Sequence, residues 1–156
     1  MSTCISAREL HSRIQSGRRT AVIDVRWSRD RSAYDHYTMA HIPLALFCDP
    51  AYDLVGIPDR ANGRNPLPEL ARVQDAVDRW GLTDDHEVIL YDKGDGLLAS
   101  RGWWILTWAG IKDVKVLGGG LRAWEAEGFD TAGGPGNQPQ PGNLTVTEGN
   151  LPAVDV

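Results

Sequence analysis

Residues 87–109, EVILYDKGDGLLASRGWWILTWA, contain a strand, a turn and a helix in direct succession. The run Glu87–Tyr91 has the length and the apolar, β-branched composition of a buried strand. Asp92–Gly96 follow as a glycine-containing turn, and the tryptophan-rich segment Leu98–Ala109 is long enough for a helix. A strand that passes through a short loop into a helix is the repeating unit of α/β folds.

Further strands and helices lie on both sides of this unit. The compact apolar runs Ala21–Val25, Leu44–Phe47 and Val114–Leu117 predict three more strands. A capping box at Ser6 and Glu9, an apolar spacing of three and four between Pro68 and Gly81, and the segment Leu121–Glu127 predict three more helices. This alternation predicts an α/β fold with a mostly parallel central sheet flanked by helices on both faces.

The chain is expected to form one domain followed by a tail. Its 156 residues, 42% of them apolar, suit a single core over residues 1–130. Residues 131–156 begin with a Gly- and Pro-rich stretch, which predicts an inter-domain linker in which Leu144–Val146 either adds an edge strand or packs on the surface. The apolar residues after this linker predict a second domain that the sequence lacks. The polar stretch Asp53–Asn65 is predicted to be a loop.

Charge and composition narrow the set of partners. With 16 Lys and Arg against 21 Asp and Glu, the formal net charge is −5, which gives no electrostatic reason to expect nucleic acid or an anionic membrane surface. The longest apolar stretch, residues 103–110, is far shorter than the roughly 20 residues of a membrane span. Because the first 15 residues also lack the apolar run of a signal peptide, a cytoplasmic protein is expected. Cys4 and Cys48 lack CxxC spacing, so both are expected to be thiols, with no metal site and no cofactor.

The loop after Tyr91 is the first place to look for a site. Ligands of open α/β sheets bind at the carboxyl ends of the strands. A loop that enters a helix there directs backbone N–H groups and the positive end of the helix dipole at its first residue. A cysteine in that position would have a lowered pKa and act as a nucleophile. Here the residue is Asp92.

Five motifs in order resemble the rhodanese family, from about Ser6 to Gly128. They are Asp24-Val25-Arg26, Ala40-His41-Ile42-Pro43, Val88-Ile89-Leu90-Tyr91-Asp92, Arg101-Gly102-Trp103-Trp104 and Val116-Leu117-Gly118-Gly119-Gly120-Leu121-Arg122-Ala123-Trp124. The chain is most similar to the first, non-catalytic domain of the tandem thiosulfate and mercaptopyruvate sulfurtransferases. In that family the second domain carries the catalytic cysteine, and the first has Asp after Tyr at the corresponding place, as Tyr91-Asp92 do here.

The resemblance implies a reaction for the complete protein and roles for residues of this chain. Sulfane sulfur moves from thiosulfate or mercaptopyruvate to a cysteine, and then to cyanide or another thiophile. The implied partners are a second rhodanese domain, in cis or in trans, and a small sulfur anion in the complete enzyme. No residue of this chain is expected to be catalytic, since a carboxylate has no route to a persulfide. The residues expected to line the cleft between the domains are His41, Asp92, Lys93, Gly94, Asp95 and Gly96, and those expected to have structural roles are Asp24, Arg26, Arg101, Trp104, Gly119 and Trp124.

Simpler interpretations stand beside these. Asp92 has the position of a helix-start residue that accepts backbone N–H bonds and holds the loop closed. His41 is alternatively a structural hydrogen-bonding residue, and Trp103, Trp104 and Trp108 are alternatively packing residues of the core or of a domain interface.

Three further candidate sites carry weaker signals. Cys48 follows an apolar run, but no cationic loop surrounds it in the sequence. A metal site formed by His36, His41, Asp24 and Asp35 is disfavoured because the two histidines do not share a helical face. Gly118–Gly120 lacks the spacing of a phosphate-binding loop and is expected to be a close-packed turn.

Three functions remain open at this point. The first is the non-catalytic N-terminal half of a sulfurtransferase, inactive alone and with an exposed apolar face where the second domain docks. The second is a stand-alone inactive rhodanese module that binds an anion or a protein partner. The third is an enzyme whose nucleophile is Cys48.

Overall fold

Among the residues that the structure describes, five parallel strands form the central sheet. The computed structural model describes residues 3–55, 67–136 and 139–151. The strands are β1 Cys4–Ile5, β2 Thr20–Asp24, β3 Leu46–Phe47, β4 Glu87–Tyr91 and β5 Val114–Leu117. Their order in the sheet is β1-β5-β4-β2-β3, and every neighbouring pair is parallel. The predicted parallel α/β sheet is confirmed.

The central strand, β4, has the sequence pattern that predicts a buried strand most clearly. All five residues of β4 are buried, and β4 pairs with β2 on one side and with β5 on the other. A parallel strand with helices on both faces exposes neither face to water, so it carries a continuous run of apolar residues rather than an alternating pattern.

Six helices in the described part of the chain cover the two faces of the sheet. They are α1 Ala7–Gln15, α2 Ala33–Met39, α3 Pro50–Asp53, α4 Leu70–Arg79, α5 Leu97–Trp108 and α6 Gly120–Ala126. Residues of α4 and α5 pack in one apolar cluster, which includes Val88 and Leu90 of β4. Residues of α1, α2 and α6 pack in a second cluster on the other face, which includes Ile89 and Tyr91 of β4. The hydroxyl of Ser6 accepts a hydrogen bond from the backbone N–H of Glu9, which confirms the predicted start of α1.

Several short elements differ from the sequence prediction. Strand β1 and helices α2 and α3 were not predicted, because each is short and lacks a clear apolar period. The predicted strand Leu44–Phe47 is reduced to its last two residues, since Leu44 has a positive φ of 71° and lies in a turn. Pro68 precedes helix α4, whose N-cap is Glu69, instead of occupying its first turn. Of the predicted loop Asp53–Asn65, residues 56–65 lie outside the described residues.

The segment after residue 131 packs on the domain. The side-chain amide of Gln74 in α4 donates to the carbonyl of Leu144 and accepts from the N–H of Val146, at 2.8 and 2.9 Å. Val146 is only 5% exposed and belongs to the apolar cluster of α4 and α5, and Leu144–Val146 form no strand. Near its end, the backbone and side-chain amides of Asn150 both donate to the carbonyl of Trp108. We call residues 139–150 the C-terminal strap; residues 152–156 lie outside the described part of the chain.

Candidate functional site

The loop that follows β4 is closed around one carboxylate. The Oδ1 atom of Asp92 accepts the backbone N–H groups of Gly94 and Gly96, at 3.0 and 3.2 Å. Its Oδ2 atom accepts the N–H of Ala99, inside the first turn of α5, at 3.1 Å. Asp92 is buried, and Gly96 begins α5 with a left-handed φ of 82° that favours glycine. The interpretation of Asp92 as a carboxylate that accepts the backbone N–H groups of this loop therefore agrees with the structure.

The glycine turn after β5 supports this loop from the side. The carbonyl of Asp92 accepts the N–H of Leu121 at 2.9 Å, and the carbonyl of Lys93 accepts the N–H of Arg122 at 3.2 Å. A Cβ atom added to Gly120 would lie 2.4 Å from the carbonyl oxygen of Asp92, so only glycine allows this approach. Gly118–Gly120 is thus the close-packed turn that the sequence predicts.

A second set of buried polar groups fixes the carboxyl end of β2. The guanidinium of Arg26 donates to both carboxylate oxygens of Asp24, and the hydroxyl of Tyr91 donates to Asp24 Oδ2 at 2.7 Å. That hydroxyl also accepts the backbone N–H of Ile42 at 3.1 Å. Burial and the neighbouring Asp24 carboxylate raise the pKa of Tyr91 well above its usual value, so the phenol stays protonated. Asp24 and Arg26 thus join β2, β4 and the His41-Ile42-Pro43 turn.

The side chain of His41 packs against Tyr37 in helix α2. The His41 side chain is 2% exposed, its ring stacks on Tyr37 with centroids 4.1 Å apart, and its Nδ1 lies 2.8 Å from the Tyr37 carbonyl oxygen. Its backbone forms an antiparallel bridge with Ala132. A role for His41 in a cleft between two domains stays a prediction.

An open groove of about 440 Å³ lies beside the Asp92 loop at the carboxyl ends of β2 and β4. Three predicted residues line it, namely Asp92, Lys93 and Asp95. The other lining residues were not predicted to line a cleft and come from the segment after β2 and the start of α5: Arg26, Trp27, Ser28, Arg29, Leu97 and Leu98. The position of Trp27–Arg29 directly after a buried strand was the available signal for the residues after β2, because residues at strand carboxyl ends share one edge of a parallel sheet.

The remaining motif residues hold the fold together. Arg101 donates from Nε to the carbonyl of Leu54 at 3.1 Å, and desolvation lowers its pKa. Trp104 stacks on Trp108 with centroids 6.3 Å apart. Trp124 is buried, and its indole N–H donates to the carbonyl of Asp130 at 2.9 Å. These contacts agree with packing roles.

Neither cysteine lies in the Asp92 loop. The thiol of Cys48 is completely buried, and burial together with the nearby Asp53 carboxylate raises its pKa well above the usual value. Cys4 is exposed on the edge strand β1, which is separated from β4 by β5. Across residues 3–55, 67–136 and 139–151, no three His, Cys, Asp or Glu side chains group closely enough to hold a metal ion. In the same part of the chain, no helix is long and apolar enough to cross a membrane.

A parallel sheet whose central strand leads into a cradle of backbone N–H groups defines a class of α/β domain that binds ligands at the strand carboxyl ends. The chain belongs to the rhodanese family, since the family model for the rhodanese-like domain matches residues 6–127.

The relatives are sulfurtransferases. The "Putative thiosulfate sulfurtransferase SseB" of Mycobacterium tuberculosis is 38% identical over 148 residues, which cover 94% of this chain and 52% of that protein. The 3-mercaptopyruvate sulfurtransferase of Escherichia coli is 32% identical over 114 residues, covering 68% of this chain and 38% of that protein. The crystal structure of SseA from Escherichia coli, described with the rhodanese fold of 3-mercaptopyruvate sulfotransferases, superposes with a TM-score of 0.82 at 26% identity and covers 96% of this chain and 56% of that one. The chain thus spans about half the length of the Mycobacterium tuberculosis protein and of the SseA structure.

Proposed function

We propose that this chain is the non-catalytic, N-terminal rhodanese domain of a cytoplasmic sulfurtransferase. In the complete enzyme a second rhodanese domain supplies the cysteine that takes sulfane sulfur from thiosulfate or mercaptopyruvate. The groove beside Asp92 forms one wall of the cleft between the two domains. Taken alone, the chain is inactive.

The observation that carries the proposal is the state of Asp92. The family resemblance puts the nucleophile at the start of this loop, and here a carboxylate is held there by three backbone N–H groups. A carboxylate forms no persulfide, and its negative charge opposes the approach of thiosulfate. The buried thiol of Cys48 offers no substitute.

The exposed apolar side chains beside the groove support a docking role. Trp27 is 46% exposed and Leu97 is 73% exposed, and both line the groove. Large apolar side chains grouped at one edge of a domain are typical of a surface that another domain covers.

The test is sulfur transfer from thiosulfate to cyanide, measured as thiocyanate release. The purified chain and its Cys48→Ala variant are compared, and the Escherichia coli 3-mercaptopyruvate sulfurtransferase, assayed with mercaptopyruvate as its donor, serves as the active control. Both forms of the chain are expected to release no thiocyanate above the blank. Activity that disappears only in Cys48→Ala would overturn the proposal and identify Cys48 as the nucleophile.

A second experiment tests whether the backbone N–H groups of the loop can still stabilise a nucleophilic thiolate at position 92. In the Asp92→Cys variant the three N–H groups would face a thiolate, which attacks the outer sulfur of thiosulfate so that an S–S bond forms and sulfite leaves. Intact-protein mass spectrometry is expected to show the gain of one sulfur atom in this variant and none in the parent chain. A persulfide on the parent chain would contradict the proposal.

A further inference from the structure

A short segment between β2 and helix α2 contributes to the groove beside the Asp92 loop. We call residues 27–31 the groove segment, and three of them line the groove, namely Trp27, Ser28 and Arg29. In the part of the chain that the structure describes, no backbone hydrogen bond joins the groove segment to the rest of the domain. Its side-chain hydrogen bonds beyond the segment go there to two residues of α2, His36 and Met39. The position of the groove segment therefore depends on few polar contacts.

The contact with His36 is a chain of three hydrogen-bonded side chains. Ser28 Oγ lies 2.9 Å from His36 Nε2 and also hydrogen-bonds to Asp30 Oδ1. A hydroxyl has one proton and a carboxylate can only accept, so Ser28 donates to Asp30. His36 Nε2 therefore carries a proton and donates to Ser28. The chain of bonds runs from α2 through the Ser28 hydroxyl to a carboxylate of the groove segment.

A second ring proton on His36 would strengthen this contact. His36 Nε2 lies 3.4 Å from Asp30 Oδ1, so a protonated imidazole forms an ion pair with that carboxylate. Hydrogen bonds from Ser28 and His36 lower the pKa of Asp30, so its carboxylate stays charged over the range in which histidines ordinarily titrate. The neutral ring makes the same hydrogen bond without the charge.

Two other ionised groups lie near His36. The guanidinium of Arg26 donates to the His36 carbonyl at 3.3 Å and opposes a charge on the ring, but it is itself paired with Asp24. Asp35 is the preceding residue of α2, is exposed, and favours the charged ring. Among the described residues, Asp30 is the charged side chain that forms an ion pair with the imidazole itself.

We propose that His36 is a positioning residue of the groove: through Ser28 and Asp30 it holds the groove segment against α2, and its second ring proton tightens this hold. Lowering the pH through the range of histidine titration would then fix Trp27 and Arg29 more firmly. The inference rests on the proposed function for the importance of the groove, where a second domain would meet these two side chains. It makes the closing of the cleft sensitive to pH.

Nuclear magnetic resonance on the whole chain tests the inference. ¹⁵N relaxation gives the order parameters of the Trp27 and Arg29 amides, which report motion rather than the nearby charge. In the parent chain these order parameters should rise as the pH falls from 8 to 5.5, with the same midpoint as the ring signals of His36. Because a partly exposed ion pair contributes little, the fraction of molecules with a released groove segment should fall by roughly two- to fivefold.

Two conservative variants separate the charge from the hydrogen bonds. His36→Gln keeps an N–H donor near the position of Nε2 but cannot become charged, so the order parameters should stay at the high-pH value of the parent. Asp30→Asn keeps an acceptor for Ser28 without the carboxylate charge, so His36 should still titrate while the groove segment no longer responds. His11→Gln is the matched control, because His11 stacks on Phe129 and does not line the groove. This variant should respond like the parent.

Three results would overturn the inference. These are order parameters in the parent that do not follow the His36 midpoint, a full pH response in His36→Gln or Asp30→Asn, and a response that His11→Gln also abolishes. Circular dichroism confirms that each variant is folded, and Asp30→Asn, at an exposed position, carries the test if His36→Gln does not fold. Each of these results leaves the proposed function intact. Thiocyanate release by the chain alone would instead remove the proposed function and leave the coupling of His36 to the relaxation data.

Discussion

Replacing Asp92 should destabilise the domain more than any other single change in its loop. In Asp92→Ala three backbone N–H groups, those of Gly94, Gly96 and Ala99, lose their acceptor. Hydrogen bonds to a charged group contribute about 1.5–3 kcal/mol each, and water can reach the two glycine amides once the loop relaxes. We therefore expect the free energy of unfolding to fall by about 3–5 kcal/mol, at the upper end of single-residue effects.

Asp92→Asn should give an intermediate result. Its amide oxygen can keep the Oδ1 position and accept from Gly94 and Gly96. Its NH₂ group would then face the N–H of Ala99, so one bond is lost and two donors oppose each other. The expected loss is about 1.5–3 kcal/mol.

Urea denaturation followed by tryptophan fluorescence measures both changes, with Asp95→Ala as the control. Asp95 is exposed and accepts one backbone N–H, so its loss should cost no more than about 1 kcal/mol. The slope of the unfolding free energy against urea should stay constant if only stability changes. The reasoning is refuted if Asp92→Ala costs no more than Asp95→Ala, or if Asp92→Asn matches the wild type.

Three further predictions follow from buried or strained groups. Burial lowers the pKa of His86 below its usual 6.5, and its Nδ1 accepts the N–H of Thr83, so the stability that neutral His86 contributes above pH 6.5 should be lost as the pH falls through the lowered pKa. In urea titrations between pH 7.5 and 5, His86→Asn should flatten this loss, and an unchanged pH profile would contradict the prediction. The exposed thiol of Cys4 should react rapidly with Ellman's reagent in the native chain, and the buried thiol of Cys48 should react only after unfolding. Two rapidly reacting thiols per native chain would show that Cys48 is accessible. Leu44 is 56% exposed with a φ of 71°, so Leu44→Gly should raise the free energy of unfolding by about 0.5–1 kcal/mol in urea denaturation. A lower free energy of unfolding would mean that the Leu44 side chain contributes packing.

The sequence predicts the central unit of the fold because that unit is decided by local pattern. The run Glu87–Tyr91 and the helix after it form where expected, and the start of α5 moves by only one residue. Strand β1 is different: its two residues form a strand only through pairing with Val116 and Leu117, more than a hundred positions away. No local pattern of two residues predicts such a pairing.

The candidate site divides in the same way. The role of Asp92 could be predicted because a carboxylate before glycines and a helix start has few acceptable partners other than backbone N–H groups. The wall of the groove formed by Trp27 and Arg29 could not, since it depends on how the segment after β2 folds against the start of α5. The burial of His41 likewise depends on its stacking on Tyr37 and its bridge to Ala132.

The C-terminal strap determines where a covalent tether would begin. Helix α5 starts beside the groove and runs for 12 residues, or about 18 Å, to Trp108, where Asn150 anchors the strap. A domain joined after Leu151 would therefore be tethered near the last residue of α5, and a connecting segment would have to return along α5 to place that domain over the groove. At about 3.3 Å per extended residue, this return takes at least about six residues. The length of that segment, more than its composition, would set the local concentration of the second domain at the groove and so the fraction of molecules with a closed cleft.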